Sequence, residues 1–243
     1  MIKATAALAA TLLITACFSS NRDHREPRIT VFAAASLQPA FEKIAGQSHA
    51  NATFNFAGSQ TLTAQLTEGA QADVFASADT AHMKTVQDAG LIDGSPHVFA
   101  HNRLQIAVAK GNPKHIHSLS DLARNDVVVV LADASVPAGR YAQQALAKAR
   151  VKVKPVSLEL EVTAVLNKVA LGEADAGIVY VSDVVSSGKV DGIAIPDVDN
   201  VIADYPIAIL TGAPDKTAAK TFVDYVLSAA GQGVLEQAGF EKT

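Results

Sequence analysis

Short apolar runs alternate with amphipathic segments along nearly all of the chain, and this alternation limits the possible folds more than any other feature. Runs such as 29–34 and 176–180 are rich in Val, Ile and Ala, which predicts buried strands. Between the strands, residues such as Leu37, Phe41 and Ile44 recur at helical spacing. Further strands are predicted at 53–57, 73–78, 104–109, 127–131, 153–158, 193–195 and 206–210, and further helices at 59–68, 82–89, 119–123, 138–149, 162–171 and 216–230. The pattern predicts an α/β fold in which a mainly parallel sheet carries helices on both faces.

The alternation falls into two blocks, at about 29–104 and 110–200. The last strand and helix follow the second block, and we expect them to complete the first. The predicted domains are one lobe of residues 28–107 and 206–243 and a second lobe of residues 108–205. Two chain crossings between such lobes leave a cleft that can close on a ligand.

The first residues are typical of an export signal. A single cation, Lys3, precedes an apolar run that ends at Ala16, and this run is too short to span a bilayer, which takes roughly 20 residues. The only cysteine, Cys17, follows directly. This arrangement resembles the lipobox of bacterial lipoproteins; the alternative is a buried thiol in a leader. We expect a signal peptide at 1–16, lipidation of Cys17, a tether at 17–27, and an extracytoplasmic body held to the membrane by lipid alone.

Composition excludes several classes of function. The net charge is −4, whereas nucleic-acid binders carry a basic excess. One cysteine cannot build a disulfide framework or a multi-cysteine metal site. The chain has no Trp and 5% aromatic residues, which disfavours a stacking platform for bases or sugars.

Small residues follow several predicted strands where a helix begins. Ser36 follows an Ala-Ala-Ala run, Ser59 follows Ala-Gly, and Ala138 follows Val-Pro. Helix starts offer unpaired N–H groups and a partial positive charge, so they attract anions, and ligands gather at the carboxyl ends of strands in open α/β sheets. Tyr180 adds a hydroxyl at the end of its strand. The alternative for each serine is that it caps its own helix, and for Tyr180 that it packs on a helix.

Five segments occur in an order that resembles the molybdate-binding family of ABC importers, the ModA family. They read AAASL (33–37), AGSQTL (57–62), ADVFASAD (72–79), VPAG (136–139) and GIVYVSD (177–183). The resemblance spans about residues 28–242 and implies a two-lobed, type II-like periplasmic-binding-protein fold. It implies a monomer that binds molybdate or tungstate and docks on a membrane permease, with no catalysis, no cofactor and no direct protein ligand to the metal.

The resemblance also implies which groups bind the oxyanion. Ser36 and Ser59 supply hydroxyl and backbone N–H groups, and Tyr180 supplies a hydroxyl. Backbone contacts are implied at Ala78, Ala138 and Val162. The sequence departs from the family pattern at Leu160-Glu161, before Val162, and at Arg140. We interpret Arg140 as an exposed arginine; the alternative is that it adds a cation near the anion.

Three other functions remain open. A hydrolase is disfavoured because no G-x-S-x-G elbow occurs. Zinc capture is suggested only by the spacing of the pairs His97/His101 and His115/His117, which are otherwise surface histidines. The third is a binding protein for another small anion, such as sulfate.

Overall fold

The computed structural model describes residues 28–243. The signal peptide, Cys17 and the tether predicted at 1–27 lie outside the described residues. The strands are β1 (Ile29–Ala34), β2 (Ala52–Ala57), β3 (Val74–Ala76), β4 (Ile92–Ala109), β5 (Val129–Ala132), β6 (Ser157–Glu159), β7 (Ala176–Tyr180), β8 (Val190–Ala194) and β9 (Ile202–Leu210). The helices are α1 (Gln38–Ser48), α2 (Ser59–Thr67), α3 (Thr80–Asp88), α4 (Pro137–Lys148), α5 (Val162–Ala170), α6 (Val181–Ser187), α7 (Lys216–Leu227) and α8 (Ala229–Gln237).

Strand β4 joins two halves of the molecule. The strand order is β2-β1-β3-β9-β4-β7-β5-β6, with β8 also paired to β4. Residues 92–103 of β4 pair with β9, whereas residues 104–109 pair with β7 and β8. In each half one strand runs against the other four: β9 in the first half and β4 in the second. The sheets are therefore mainly parallel, as predicted; the lobe boundaries stay a prediction.

The core of the first half is built around aromatic side chains. Phe41 on α1 lies 5.8 Å from Phe99 and 5.7 Å from Phe222, measured between ring centroids. Tyr205 on β9 is fully buried and meets Phe99 edge-on. Strand β9 follows the second block in the sequence but pairs with β3 in the first half, and this pairing places Tyr205 near the strand ends of that half.

Two predicted strands differ from the structure in extent, and one helix was not predicted. The strand predicted at 104–109 begins at Ile92, because Gly94, Pro96 and two register shifts hide the alternation of its first part. The strand predicted at 153–158 is reduced to Ser157–Glu159. Helix α6, with only seven residues, was not predicted.

The helix predicted at 216–230 is two helices that meet at Ser228. The Ser228 backbone is extended (ψ 163°), and its Oγ accepts from Gly231 N at 3.2 Å and donates to Tyr225 O at 2.7 Å. A serine that bonds to the backbone in this way ends one helix and starts the next.

The zinc alternative finds no support among residues 28–243. His97 and His101 lie on strand β4, not on one turn of a helix, and His101 Nδ1 bonds to Asp204 Oδ1 at 2.8 Å. No group of three or more His, Cys, Asp or Glu residues in this part of the chain is placed to hold a metal ion.

Candidate functional site

A small cavity lies where helices from both halves begin. All six residues predicted to bind the oxyanion line it. The lining is uncharged throughout and consists of Ala34, Ala35, Ser36, Gly58, Ser59, Ala78, Val136, Pro137, Ala138, Val162 and Tyr180. The six predicted residues, which are separated by up to 144 positions in the sequence, are thus brought together, and their role in binding stays a prediction.

The strand ends place these residues. Ser36 follows β1, Ser59 follows β2, and Ala78 lies just beyond β3, and these strands are parallel neighbours in the first half. Ala138 is the second residue of α4 after β5, and Tyr180 is the last residue of β7. The cavity therefore lies at the carboxyl ends of two sets of parallel strands, which face each other.

Three of the helices that start at this cavity have no side-chain caps in the described structure. Helices α2, α4 and α5 lack a capping hydrogen bond, whereas α3, α7 and α8 are capped by Asp79, Asp215 and Ser228. A helix start leaves its first N–H groups without intrahelical partners. The N–H groups of Ser59, Ala138 and Val162 donate to no acceptor among residues 28–243.

The hydroxyl of Ser59 is held by the backbone of a neighbouring strand end. Its Oγ accepts a hydrogen bond from Ala78 N at 3.0 Å. Because the oxygen accepts here, its own hydrogen is left to donate into the cavity. The interpretation of Ser59 as a cap of its own helix is therefore wrong. In the described structure, the backbone N–H of Ala78 positions the Ser59 hydroxyl.

Ser36 has a partner that the sequence did not suggest. Its Oγ lies 2.9 Å from the Tyr205 hydroxyl, and no side-chain cap is formed at this helix start. Burial holds the pKa of Tyr205 well above its usual range, so the phenol keeps its proton and can donate it to Ser36. In the sequence, Tyr205 is simply an aromatic residue in an apolar strand, so only the fold shows its role.

Tyr180 supplies the clearest sign that the cavity can bind a polar ligand. Its side chain is 1% exposed, yet its hydroxyl has no hydrogen-bond partner of normal geometry among the described residues. Burial and the surrounding groups raise its pKa well above the usual value, so the group stays a neutral donor. A buried polar group without a partner costs about 1–3 kcal/mol, and a ligand in the cavity would recover this cost.

Charged side chains stand near the cavity but do not line it. Arg140 follows Gly139 on α4 and contacts the carboxylate of Asp79. The interpretation of Arg140 as a merely exposed arginine is wrong, since its side chain is only 33% exposed and is paired. Glu161 precedes α5, and its carboxylate is 3.4 Å from Thr163 Oγ1.

At Gly58 the backbone of the first half lies in close contact with the backbone of the second half. A Cβ atom at this position would lie 2.7 Å from the carbonyl oxygen of Leu160, which belongs to the second half. The side chain of Gln60 spans the same seam, because its Nε2 donates to Leu160 O at 2.8 Å.

The chain matches the family model described as bacterial extracellular solute-binding protein over residues 29–241. It therefore belongs to that family. Molybdate-binding protein ModA of Mycobacterium tuberculosis (strain ATCC 25618 / H37Rv) is 48% identical over 220 residues, which cover 88% of this chain and 84% of that protein. A putative ABC transporter substrate-binding lipoprotein, YvgL of Bacillus subtilis (strain 168), is 32% identical over 249 residues, covering 97% and 95%. The resemblance to the ModA family is confirmed.

Solved structures confirm the two-lobed periplasmic-binding-protein fold. The periplasmic molybdate-binding protein of Azotobacter vinelandii superposes with a TM-score of 0.78 at 18% identity, covering 88% of this chain and 99% of that chain. The sulfate-binding protein SubI of Mycobacterium tuberculosis H37Rv gives 0.79 at 17% identity, covering 89% and 87%. Because the two scores are equal within 0.01, the fold alone does not distinguish the anions.

Among residues 28–243, no helix combines the length and apolar character that crossing a membrane requires.

Proposed function

We propose that this chain captures molybdate or tungstate outside the cytoplasm and delivers it to an ABC-type permease. One observation carries the proposal: three uncapped helix starts and the unpartnered hydroxyl of Tyr180 surround one uncharged cavity. The relative at 48% identity is named for molybdate binding, which agrees with this donor set. We propose that binding requires no cofactor, no protein atom bonded to the metal and no catalytic residue.

Neutral donors are sufficient to hold a doubly charged anion. Burying such an ion without hydrogen bonds is prohibitively costly. A hydrogen bond to a charged group contributes about 1.5–3 kcal/mol net. The hydroxyls of Ser36, Ser59 and Tyr180, together with the free N–H groups of Ser59, Ala138 and Val162, offer six such bonds. Their sum offsets desolvation, so the net charge of −4 does not oppose binding.

The donor set also bears on selectivity. Phosphate near neutral pH carries a proton that needs an acceptor, and no carboxylate lines the cavity. Sulfate is a second candidate because it has the same charge and shape as molybdate and because the SubI fold is equally similar. We expect molybdate and tungstate to bind more tightly than sulfate, because their longer metal–oxygen bonds reach donors held apart on rigid strand ends.

The N-terminal residues bear on where capture takes place. Residues 1–16 followed by Cys17 are typical of a lipoprotein signal, and the relative YvgL is named a putative lipoprotein. We propose that the mature chain is a monomer tethered through Cys17. Mass spectrometry of the protein purified from membranes tests this, because a diacylated N-terminal Cys17 has a defined mass.

Isothermal titration calorimetry of the mature protein tests the proposed ligand. Molybdate and tungstate are expected to give saturable heat at one site per chain, sulfate weaker heat, and phosphate and zinc none. A titration in which only sulfate saturates the site would transfer the proposal to sulfate. A titration without heat for any oxyanion would overturn it.

A further inference from the structure

An ion pair joins the two halves of the molecule beside the cavity. Asp79 follows Ala78 after β3, and Arg140 follows Gly139 in the first turns of α4. The Arg140 guanidinium donates from Nη2 to Asp79 Oδ2. Each partner thus lies directly beyond a segment that lines the cavity, one in each half.

The carboxylate of this pair is unusually buried. The Asp79 side chain is 1% exposed and accepts from His82 N at 2.8 Å and from His82 Nδ1 at 2.9 Å. Burial alone would raise the pKa of Asp79, but the hydrogen bonds from His82 and the charge of Arg140 outweigh it and hold the pKa below its usual range. Asp79 is therefore an anion near neutral pH, and removing a partner from a buried anion is costly.

We propose that Arg140 and Asp79 form a latch that holds the two halves closed over the bound anion. This inference rests on the proposed function and makes Arg140 a positioning residue, not a ligand. Opening of the cleft pulls the guanidinium away and leaves the carboxylate with His82 alone. The hydrogen bond from Gln60 to Leu160 O is a second, uncharged contact across the seam.

A direct electrostatic role for Arg140 predicts a different result. If Arg140 acted as a cation that attracts the anion, Asp79 would oppose binding, because it places a negative charge beside Ala78. Neutralising Asp79 would then tighten binding. If the pair is a latch, neutralising either partner weakens binding, and neutralising both adds little.

The test compares Arg140→Gln, Asp79→Asn and the double variant of the mature protein. Asparagine keeps the acceptor that caps α3, so Asp79→Asn removes the charge and preserves the helix start. Calorimetry with molybdate is expected to show about 10-fold weaker binding for each single variant and no further loss for the double. Stopped-flow displacement by tungstate is expected to show most of the change as faster dissociation.

Arg124→Gln is the matched control. It removes an Arg–Asp pair, with Asp126, on the surface of one half, and should leave affinity unchanged.

Tighter binding by Asp79→Asn, or unchanged binding by Arg140→Gln, would overturn the latch while the wild type still binds molybdate. If the wild type binds no molybdate, the proposed function fails and the latch is judged without ligand. Small-angle scattering then compares ligand-free wild type with Arg140→Gln, after circular dichroism has shown that the variant is folded. A larger radius of gyration for the variant supports the latch, and equal radii overturn it.

Discussion

The backbone amide of Ala78, just beyond β3, donates to Ser59 Oγ at 3.0 Å. Ser59 follows β2, so the end of β3 orients a side chain at the end of a strand two positions away in the sheet. Strand β1 lies between β2 and β3, and this hydrogen bond passes beyond its end. Because Ser59 Oγ accepts this hydrogen bond, its own hydrogen is left to donate into the cavity. Ser36 is held in the same manner by Tyr205, so both serines reach the cavity with their oxygens already positioned.

Ser59→Ala should weaken molybdate binding by about 10-fold or more, because one charged hydrogen bond is lost. It should also lower stability by about 1–3 kcal/mol, because the buried Ala78 amide loses its acceptor. Calorimetry and denaturant unfolding measure the two effects. Unchanged affinity would remove Ser59 from the site.

Tyr180→Phe should have opposite effects on binding and on ligand-free stability. The hydroxyl is buried and has no hydrogen-bond partner of normal geometry within residues 28–243, so its removal should leave the ligand-free protein as stable as wild type or about 1 kcal/mol more stable. Molybdate binding should weaken by about 10-fold. Thermal melting with and without molybdate reports both, since a bound ligand at 100 times its Kd adds about 2.7 kcal/mol.

A matched control is Tyr225→Phe, which changes a tyrosine on α7, away from the cavity. It should leave molybdate affinity at the wild-type value. A Tyr180→Phe variant that loses stability and keeps its affinity would show that the hydroxyl serves the fold.

The sequence predicts which residues meet at the cavity better than it predicts the contacts that support them, and the role of these residues in binding stays a prediction. Ser36, Ser59 and Ala138 follow strand ends whose apolar patterns are clear, and parallel strands bring such ends to one edge. Tyr205 and the pair of Asp79 with Arg140 are different, because each depends on a contact between distant segments. The extent of β4 was missed for a local reason, since Gly94 and Pro96 interrupt its alternation.

Gly58→Ala should impair closure with little effect on folding. The new methyl group would lie 2.7 Å from Leu160 O across the seam, whereas the neighbouring Gln60 side chain can move aside. Molybdate affinity should fall by at least 10-fold. Gly46→Ala is the control, because no atom lies within 4 Å of a Cβ there, and it should bind as wild type does. Equal affinities for the two variants would show that the halves do not need this close approach.

Asp183 makes the stability of the protein depend on pH in an unusual direction. Burial raises its pKa from 3.8 to about 7, against the opposing hydrogen bond that its carboxylate accepts from Tyr180 N at 2.9 Å. The folded state therefore keeps a proton that the unfolded state releases between about pH 4 and 7. Stability contributed by this group is present at low pH and is lost as the pH rises towards 7.

Asp183→Asn should remove this dependence, because the amide keeps the acceptor for Tyr180 N and does not ionise. The unfolding free energy of the variant minus that of wild type should grow by about 1.4 kcal/mol per pH unit between pH 4 and 7 and stay constant above. Asp121→Asn is the control, because hydrogen bonds from His117 and Ser118 hold the pKa of Asp121 below its usual range. The contribution of Asp121 therefore changes only below about pH 4, and its difference from wild type should stay constant from pH 5 to 8. Urea unfolding at four pH values from 5 to 8 measures both differences. A difference for Asp183→Asn that does not change between pH 5 and 7 would mean that the carboxyl is already ionised in the folded protein.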